Sequence, residues 1–481
     1  MSNEFAPDRP ISLTEVLAAS SARVVGDLSA DTLFRWIERD SRKIEAGDLF
    51  IAVRGERFDG HQFVSVAASG GAAAALVSND WFSVQPDSPD LPLLVVESPV
   101  IALQRIAAAR RASMNLTVMG VTGSLGKTST KECIAAGLGE RLNVYKSPGN
   151  MNSEIGLPLS LLEMPEIADV AILEMGGAYA LGEVALLAGI AQPEIGVVTN
   201  VHPIHLERMG SIEAIAETKT ELVESLPSSG TAILNVANPW VAAMAKRTPA
   251  RVLTYGVAVP ADVMATAVRT KGLEGISFDL AGEAGSRQVD LPMVGQHAAE
   301  LALAAICAGL AMGVDVDTVL SGLQRPGVQV RLLPVAGPRG SQIIDDTYNA
   351  SAPSVLSALR LLDEIPSTRK IAVLGDMREL GAETDAHNEE VAVSAAKIAD
   401  VLYTFGDMAR AIAESVSQKQ VDGRKVDVTS FRIDQREQLT RTLLDELRSG
   451  DVALLKGSRG LEMETIVASL RDAAKDSLGN P

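Results

Sequence analysis

The stretch from residue 119 to residue 130 constrains the fold of this chain more than any other. It has the order of a buried strand (116–121), a glycine loop and a helix that extends to about residue 137. Gly123 and Gly126 let the backbone turn without a Cβ clash, so consecutive N–H groups can face one anion. The following helix adds the positive end of its dipole. The order therefore predicts a cradle for a phosphate group.

Two side chains after this loop are typical of a nucleotide site. Lys127 can reach the β- and γ-phosphates, and the Thr128 hydroxyl can bind Mg²⁺. The strict pattern G-x-x-x-x-G-K-[ST] would require glycine where Val121 stands. The alternative is an ordinary strand-to-helix turn. Because Gly-Lys-Thr opens a helix directly after an apolar strand, we favour the nucleotide site.

The size and charge of the chain exclude several classes of protein. Its 481 residues are too many for one core, so about two to four domains are expected. A net charge of −18 argues against general affinity for nucleic acid or for an anionic membrane. No apolar run approaches the ~18 residues that span a bilayer, and no signal peptide is visible. Cys133 and Cys307 lie in apolar, helix-like stretches, which indicates a reducing compartment. We expect a cytoplasmic protein without membrane insertion.

Alternating strands and helices predict an α/β fold of three domains, at residues 1–112, 113–325 and 326–481. The central domain should have a mainly parallel sheet. The main predicted strands are 48–53, 74–77 and 91–96 in the first domain, 116–121, 169–176 and 195–201 in the second, and 341–344, 370–374, 401–405 and 452–455 in the third.

Two polar residues accompany the central strands. The buried strand in 169–176 ends in Glu174, and His205 follows strand 195–201. Ligands of parallel sheets gather beyond the carboxyl ends of the strands, so both are candidates for the crevice that holds the phosphate loop. A carboxylate and the Thr128 hydroxyl suit a hard cation such as Mg²⁺. Histidine is a less usual neighbour of Mg²⁺, so the spacing leaves open whether His205 is a ligand.

Lys219 stands on the apolar face of a predicted helix, 211–226. It follows Ile215 by four residues and Ala216 by three, which places it inside the apolar stripe. One interpretation is a lysine that extends along the stripe to water. The other is a lysine in a partly dry site, where its pKa falls and its amine can react. The pattern leaves both open.

Polar clusters elsewhere have a structural and a functional interpretation. In the third domain, loops 345–349, 375–381, 406–407 and 456–460 each follow a predicted strand, which predicts a binding edge. In the first domain, Asp40-Ser-Arg42 and Asp59-Gly-His61 are typical of turns. His297 opens a helix rich in alanine and leucine, where a polar cap is the simpler interpretation.

Taken together, these motifs resemble the Mur ligases, the ATP-dependent enzymes that build the peptidoglycan stem peptide. The resemblance covers about residues 40–464. It implies a three-domain Mur ligase architecture: an N-terminal UDP-sugar-binding α/β domain, a central P-loop parallel-sheet domain, and a C-terminal Rossmann-like domain that binds the incoming dipeptide and closes on the nucleotide. The matching stretches are Asp40-Ser-Arg42, Gly47-Asp-Leu-Phe50, Asp59-Gly-His61, Gly123-Ser-Leu-Gly-Lys-Thr-Ser129, Gly149-Asn-Met-Asn-Ser-Glu-Ile-Gly-Leu-Pro-Leu159, Arg331, Asp345-Asp-Thr-Tyr-Asn349, Gly375-Asp-Met-Arg-Glu-Leu380 and Lys456-Gly-Ser-Arg459.

The resemblance also implies roles for single residues. ATP would contact Gly123, Ser124, Leu125, Gly126, Lys127, Thr128, Ser129 and His297. Mg²⁺ would be held by Thr128, Glu174, His205 and Lys219, the last as a carbamylated lysine. The substrates would contact Ser41, Arg42, Asn150, Asn152, Asp346, Tyr348 and Asn349. The catalytic set would be Lys127, Lys219, His205, Glu174 and Arg331.

The chain departs from the family's pattern in three places. The family's His-Asn-x-x-Asn is here His297-Ala-Ala-Glu-Leu301, and one of the missing asparagines normally helps to read adenine. The family's Asn-x-Asp-Asp is here Asn235-Val-Ala-Asn238. The Asn-x-Asn-Asn-Glu motif keeps Asn152 but has Ser153 in place of the third asparagine.

The implied activity is the ATP-dependent joining of D-alanyl-D-alanine to UDP-N-acetylmuramoyl-tripeptide through an acyl phosphate. The partners would be these small molecules, without nucleic acid, and the protein a monomer. Two alternatives remain. A Mur-type ligase for another carboxylate and amine is disfavoured by the motifs of the first domain. A non-catalytic nucleotide-binding paralogue is disfavoured because Lys127, Thr128, Glu174, His205 and Lys219 are all present.

Overall fold

The structure is a computed structural model that describes residues 9–55, 58–84, 90–204, 206–377, 384–418 and 425–478, with side chains as far as residue 475. Across these residues, strands and helices alternate, as the sequence predicts for an α/β fold. Three larger sheets follow one another along this part of the chain, and each falls within one predicted domain.

The first unit has a mostly parallel sheet in the order β2-β7-β6-β5-β4, in which only β2 runs antiparallel among the described strands. Every residue of β6 and β7 is buried, which explains their continuous apolar sequence. The strands are β1 (Ile11–Ser12), β2 (Arg23–Val25), β3 (Leu33–Phe34), β4 (Ile37–Glu38), β5 (Leu49–Ile51), β6 (Ala74–Ser78) and β7 (Leu93–Val96), and the helices are α1 (Leu13–Ser20), α2 (Val64–Ser69), α3 (Asn79–Val84) and α4 (Pro99–Ala112).

The central unit has a sheet in the order β16-β15-β14-β13-β12-β11-β8-β10-β9 within the described residues. It is parallel from β9 to β14, as predicted, and β15 and β16 add an antiparallel edge that the sequence analysis missed. The strands are β8 (Thr117–Thr122), β9 (Val144–Lys146), β10 (Val170–Glu174), β11 (Ile195–Val198), β12 (Thr231–Asn235), β13 (Arg251–Val257), β14 (Val263–Thr270), β15 (Ile276–Gly282) and β16 (Arg287–Leu291). The helices are α5 (Lys127–Leu138), α6 (Gly156–Leu162), α7 (Glu183–Ala191), α8 (Leu206–Met209), α9 (Ile212–Glu224), α10 (Pro239–Ala243), α11 (Ala298–Met312) and α12 (Val316–Leu323).

The third unit has a sheet in the order β17-β18-β22-β19-β20-β21, in which the described strands are parallel except β17. All four predicted strands of this domain are present. The strands are β17 (Leu333–Ala336), β18 (Gln342–Asp346), β19 (Arg369–Gly375), β20 (Val401–Phe405), β21 (Asp427–Phe431) and β22 (Asp451–Lys456), and the helices are α13 (Ala352–Glu364), α14 (Thr384–Ile398), α15 (Arg410–Gln418), α16 (Arg436–Glu446) and α17 (Glu464–Leu478).

A continuous apolar core joins the first and central units. Leu103 and Ile106 of α4 belong to the same buried cluster as Leu161 of α6 and Leu187 of α7. The third unit instead has its own apolar cores on the two faces of its sheet. The first and central units are therefore joined to each other more closely than either is joined to the third. Of the helices that the structure describes, none is long and apolar enough to cross a membrane.

Candidate active site

Glycine is required at two positions of the phosphate loop. Gly123 has a φ of +144° and Gly126 a φ of +79°, in the region that favours glycine. A Cβ on Gly123 would lie 2.0 Å from the hydroxyl oxygen of Thr199, so no larger residue fits. Helix α5 begins at Lys127, and its first turn lines the same cavity as the loop. The predicted strand, loop and helix are therefore confirmed, with the positive end of the helix dipole at the cavity.

The loop is held in place from the end of β11. Asn200 Oδ1 accepts a hydrogen bond from the Leu125 N–H at 2.8 Å, and the Thr199 hydroxyl donates to the Leu125 carbonyl oxygen at 2.7 Å. The Ser124 hydroxyl donates to the carbonyl oxygen of His202 at 3.1 Å. The predicted strand 195–201 was too long: it ends at Val198, which releases these residues to bind the loop. The sequence analysis did not assign them this role.

Glu174 connects two loops at the carboxyl end of β10. It is 2% exposed. The Thr128 hydroxyl donates to Glu174 Oε2 at 2.8 Å, and Asn152 Nδ2 donates to Oε1 at 2.7 Å. A buried carboxylate beside a hydroxyl and an amide offers the oxygen ligands that Mg²⁺ prefers, and such sites use one or two carboxylates together with substrate phosphates. The described part of the chain has no cluster of three or more His, Cys, Asp or Glu that could hold a metal ion. His205 lies outside the described residues, so its role stays a prediction.

Lys219 is buried on α9 and does not extend to water. Lys219 is 3% exposed. Its Nζ donates to the carbonyl oxygen of Gly176 at 2.8 Å and to that of Gly177. Strand β10 ends at Glu174, as predicted, and this frees both carbonyls. Burial, reinforced by the positive charge of Lys127, lowers the pKa of Lys219 from 10.5 to about 7. A substantial fraction of this amine is therefore neutral near pH 7.

Two further lysines organise the floor of the site. Lys127 Nζ donates to the carbonyl oxygen of Gly123 at 2.8 Å, and burial lowers its pKa. Lys131, one turn later, is fully buried, and its Nζ donates to the carbonyl oxygens of Ser147 and Gly149. Lys131 thereby supports the segment that leads to Asn152. This role of Lys131 was not predicted, and its polar sequence neighbours Thr130 and Glu132 gave no sign that the lysine is buried.

One cavity of about 830 Å³ brings most of the predicted site residues together. Its wall comes from all three units, and its volume suits a ligand the size of a nucleotide. The predicted residues that line it are Gly123, Ser124, Leu125, Gly126, Lys127, Thr128, Ser129, Asn150, Asn152, Glu174, Lys219, His297, Arg331, Asp346, Tyr348 and Asn349.

The third unit contributes a charged wall. The Arg331 guanidinium lies 3.4 Å from the centroid of the Tyr348 ring, and burial lowers the pKa of Arg331. Asp346 and Lys456 form a buried ion pair, and Lys456 Nζ also donates to the carbonyl oxygen of Asn349 at 3.0 Å. Of the predicted binding edge, Asp346, Tyr348, Asn349 and Lys456 line the cavity, and Gly406 and Asp407 do not. Residues 378–381 of loop 375–381 lie outside the described residues, and binding at this edge stays a prediction.

His297 does not act as a polar cap. It occupies the N-cap position of α11 but makes no side-chain capping hydrogen bond, and it lines the cavity instead. Burial lowers the pKa of His297 and raises the pKa of the neighbouring carboxyl, Glu300. Glu300, Leu301 and Tyr255 line the same region, and the sequence analysis gave none of them a role in the site.

The first unit approaches the cavity through Arg39 rather than through the predicted residues. Ser41 and Arg42 are absent from the cavity wall, where Arg39 is present. The exposed Arg42 guanidinium binds both carboxylate oxygens of Asp40, at 2.8 and 2.7 Å. Asp40 and Asp59 each cap a short 3₁₀ turn, which confirms the turn interpretation.

The Asp59 turn is also held from within the first unit. His61 Nδ1 lies 2.5 Å from Asp59 Oδ1, and His61 Nε2 accepts from the Ser78 N–H at 3.0 Å. The substrate contacts predicted for Ser41 and Arg42 stay predictions.

Three family models match the chain. They are the Mur ligase family, catalytic domain, at residues 34–114, the Mur ligase middle domain at 121–309, and the Mur ligase, glutamate ligase domain at 330–459. Together they span the loop, the Glu174 cluster and the third unit's wall.

Whole-length relatives agree with these models. The UDP-N-acetylmuramoyl-tripeptide–D-alanyl-D-alanine ligase of Bacillus subtilis is 36% identical over 445 residues, which cover 91% of this chain and 93% of that protein. The enzyme of the same name from Escherichia coli is 35% identical, with 92% and 95% covered.

Solved structures extend the similarity to the fold. MurF from Acinetobacter baumannii has a TM-score of 0.85 at 28% identity, with 97% of this chain and 100% of that chain covered. MurF ligase from Thermotoga maritima in complex with ADP has a TM-score of 0.76 at 28% identity, with 92% and 98% covered. The 36% identity to the Bacillus subtilis ligase over 91% of the chain, together with the three family models, shows that the chain belongs to the Mur ligase family.

Proposed function

We propose that this chain joins D-alanyl-D-alanine to UDP-N-acetylmuramoyl-tripeptide with hydrolysis of ATP to ADP and phosphate. The observation that carries the proposal is the single cavity in which the phosphate loop, the Glu174 cluster and buried Lys219 face the wall of the third unit. Relatives that share more than 30% identity over most of the chain bear the name of this activity.

In the first step, the terminal carboxylate of the tripeptide attacks the γ-phosphorus of ATP. A P–O bond forms, the bond to ADP breaks, and an acyl phosphate results. Lys127 and the loop N–H groups, which line the cavity, would hold the β- and γ-phosphates, and Arg331 would approach them from the third unit. The protein contributes position and charge rather than a nucleophile.

In the second step, the neutral amine of the dipeptide attacks the acyl carbon. A C–N bond forms, the C–O bond to phosphate breaks, and the amine loses a proton. The dipeptide has to enter between the central and third units, where Asp346, Tyr348 and Asn349 line the cavity. Closure of the third unit over the site would exclude water, which would otherwise hydrolyse the acyl phosphate.

The residues present fit Mg²⁺ as a cofactor. Thr128 and Glu174 would hold one ion, and His205 with Lys219 a second. Bound Mg²⁺ would neutralise charge on the transferred phosphoryl group. Asn152 orients Glu174 by donating to Oε1, which leaves the other oxygen directed at the Thr128 hydroxyl.

Lys219 suits carbamylation. Its partly neutral amine can attack CO₂, forming an N–C bond and releasing one proton, to give an anion. This anion would lie beside Lys127, whose charge favours it. The carbamate oxygens of Lys219 would then be available as ligands of Mg²⁺.

The UDP portion of the substrate would bind the first unit at Ser41 and Arg42, with Asn150 contacting the part that enters the cavity. We further propose that the enzyme acts in the cytoplasm as a monomer. The buried thiols of Cys133 and Cys307, whose pKa values burial raises, suit a reducing compartment.

The test is phosphate release from ATP and Mg²⁺ by the purified protein. UDP-N-acetylmuramoyl-tripeptide is supplied with and without D-alanyl-D-alanine, and the product is identified by mass. Release that requires both substrates and yields the UDP-pentapeptide supports the proposal. Release with other amines but not this dipeptide would assign a different ligase. Nucleotide binding without release under any pairing would favour a non-catalytic protein.

A further inference from the structure

The cations of the cavity wall differ in whether they already have partners. Lys127 and Lys219 donate to backbone carbonyls, Lys456 pairs with Asp346, and Arg331 stacks on Tyr348. Arg39 and Arg360 also line the cavity, but neither side chain makes a hydrogen bond or ion pair with another described residue. Both side chains are exposed. These two guanidinium groups are therefore available to an anionic ligand.

Arg360 lies on the third unit, on the face of α13 that is turned to the cavity. Ser354, Ser357 and Arg360 follow one another at a spacing of three residues and all line the cavity. The opposite face, with Val355 and Leu359, packs in the apolar core of the unit. The hydroxyl of Ser354 is occupied, because it donates to the Ser351 carbonyl at 2.9 Å. Ser357 and Arg360 remain as the polar groups that this face offers to a ligand.

The chemistry of the second substrate requires such a group. A dipeptide carries a carboxylate about 7 Å from its amine when extended, so the carboxylate is still inside the cavity while the amine attacks. An anion in a partly enclosed site needs a cation or hydrogen-bond donors beside it. Arginine matches a carboxylate with two parallel N–H donors. Arg39 belongs to the first unit, and Arg360 belongs to the third. Of these two arginines, Arg360 is therefore the one on the side from which the dipeptide enters.

We propose that Arg360, assisted by the Ser357 hydroxyl, binds the terminal carboxylate of the incoming dipeptide and selects for a free acid at that end. The proposal rests on the proposed function, and it assigns a specificity residue to the dipeptide rather than to ATP or to the UDP substrate.

The test compares D-alanyl-D-alanine with its C-terminal amide, using the wild type, Arg360→Gln and a control, Arg410→Gln. Arg410 is an arginine of the same unit that is 70% exposed and lies away from the cavity. In the wild type and the control, we expect a KM for the amide about 10- to 100-fold above that for the acid. In Arg360→Gln, the KM for the acid should rise by about the same factor while that for the amide stays, so the discrimination disappears.

The KM values for ATP and for the UDP substrate should not change in any variant, which also shows that Arg360→Gln is folded. The proposal is overturned if Arg360→Gln discriminates acid from amide as the wild type does, or if its defect appears in the KM for the UDP substrate. Failure of the wild type to ligate either dipeptide would reject the proposed function itself, and this inference with it.

Discussion

Replacing Lys219 by methionine tests whether this lysine is held in a dry site. Burial lowers its pKa from 10.5 to about 7, so between these values the unfolded chain holds a proton that the folded chain has lost. The free energy of unfolding must then rise with pH across this window, because the unfolded state binds more protons. From pH 6 to pH 9 the two pKa values give a rise of about 2–3 kcal/mol from this one group. Lys219→Met lacks the proton site and should lack this rise.

The measurement is urea unfolding followed by circular dichroism at pH 6 and pH 9, in CO₂-free buffer so that the amine stays unmodified. The quantity compared is the change in unfolding free energy between the two pH values. Lys246→Met, at an exposed position of the same unit, controls for the loss of one positive charge and should follow the wild type. Equal changes in the wild type and in Lys219→Met would refute the argument that burial depresses this pKa.

Three further predictions follow from the site. Lys219→Ala should lower kcat by about 10²- to 10³-fold, and added acetate or formate should restore part of it; a steady-state assay without any restoration would contradict a role as a carbamate. Glu174→Gln should raise the Mg²⁺ concentration for half-maximal activity by about 10- to 100-fold, and an unchanged Mg²⁺ titration would exclude this carboxylate as a ligand. Lys131→Met removes the donor to the carbonyl oxygens of Ser147, which is buried, and Gly149, and should lower the free energy of unfolding by about 2–4 kcal/mol, seen as a lower urea midpoint, which an unaltered midpoint would contradict.

Local patterns predicted a large part of this protein. The phosphate loop follows from the order of strand, glycines and helix, because only glycine tolerates the positive φ at Gly123 and Gly126. Buried parallel strands have continuous apolar sequences, so the main strands of all three sheets were visible, but others, such as β2, β13, β21 and the antiparallel edge from β15 to β16, were not. Lys219 was marked by a charge inside an apolar stripe. Each of these signals lies within about a dozen consecutive residues.

Strand ends were predicted less well than strands. β10 ends at Glu174, as predicted, but β11 stops at Val198, before the end of the predicted strand 195–201, because the residues that follow bind elsewhere. The carbonyls of Gly176 and Gly177 accept from Lys219, and Asn200 binds the phosphate loop. Hydropathy cannot show where a backbone group stops bonding to the neighbouring strand and bonds to a distant residue instead.

The sequence by itself determined that this chain has a glycine loop suited to an anion and carries a lysine on an apolar helix face. Only the tertiary structure decided that Arg331 and Arg360 of the third unit share one cavity with that loop, and that Arg39 rather than Arg42 reaches the cavity wall. Periodicity reports which side chains of a strand or helix share one face, since this follows from the local backbone geometry. Which elements meet, and which side chains find partners when they do, depends on packing between residues hundreds of positions apart, and no local pattern records it.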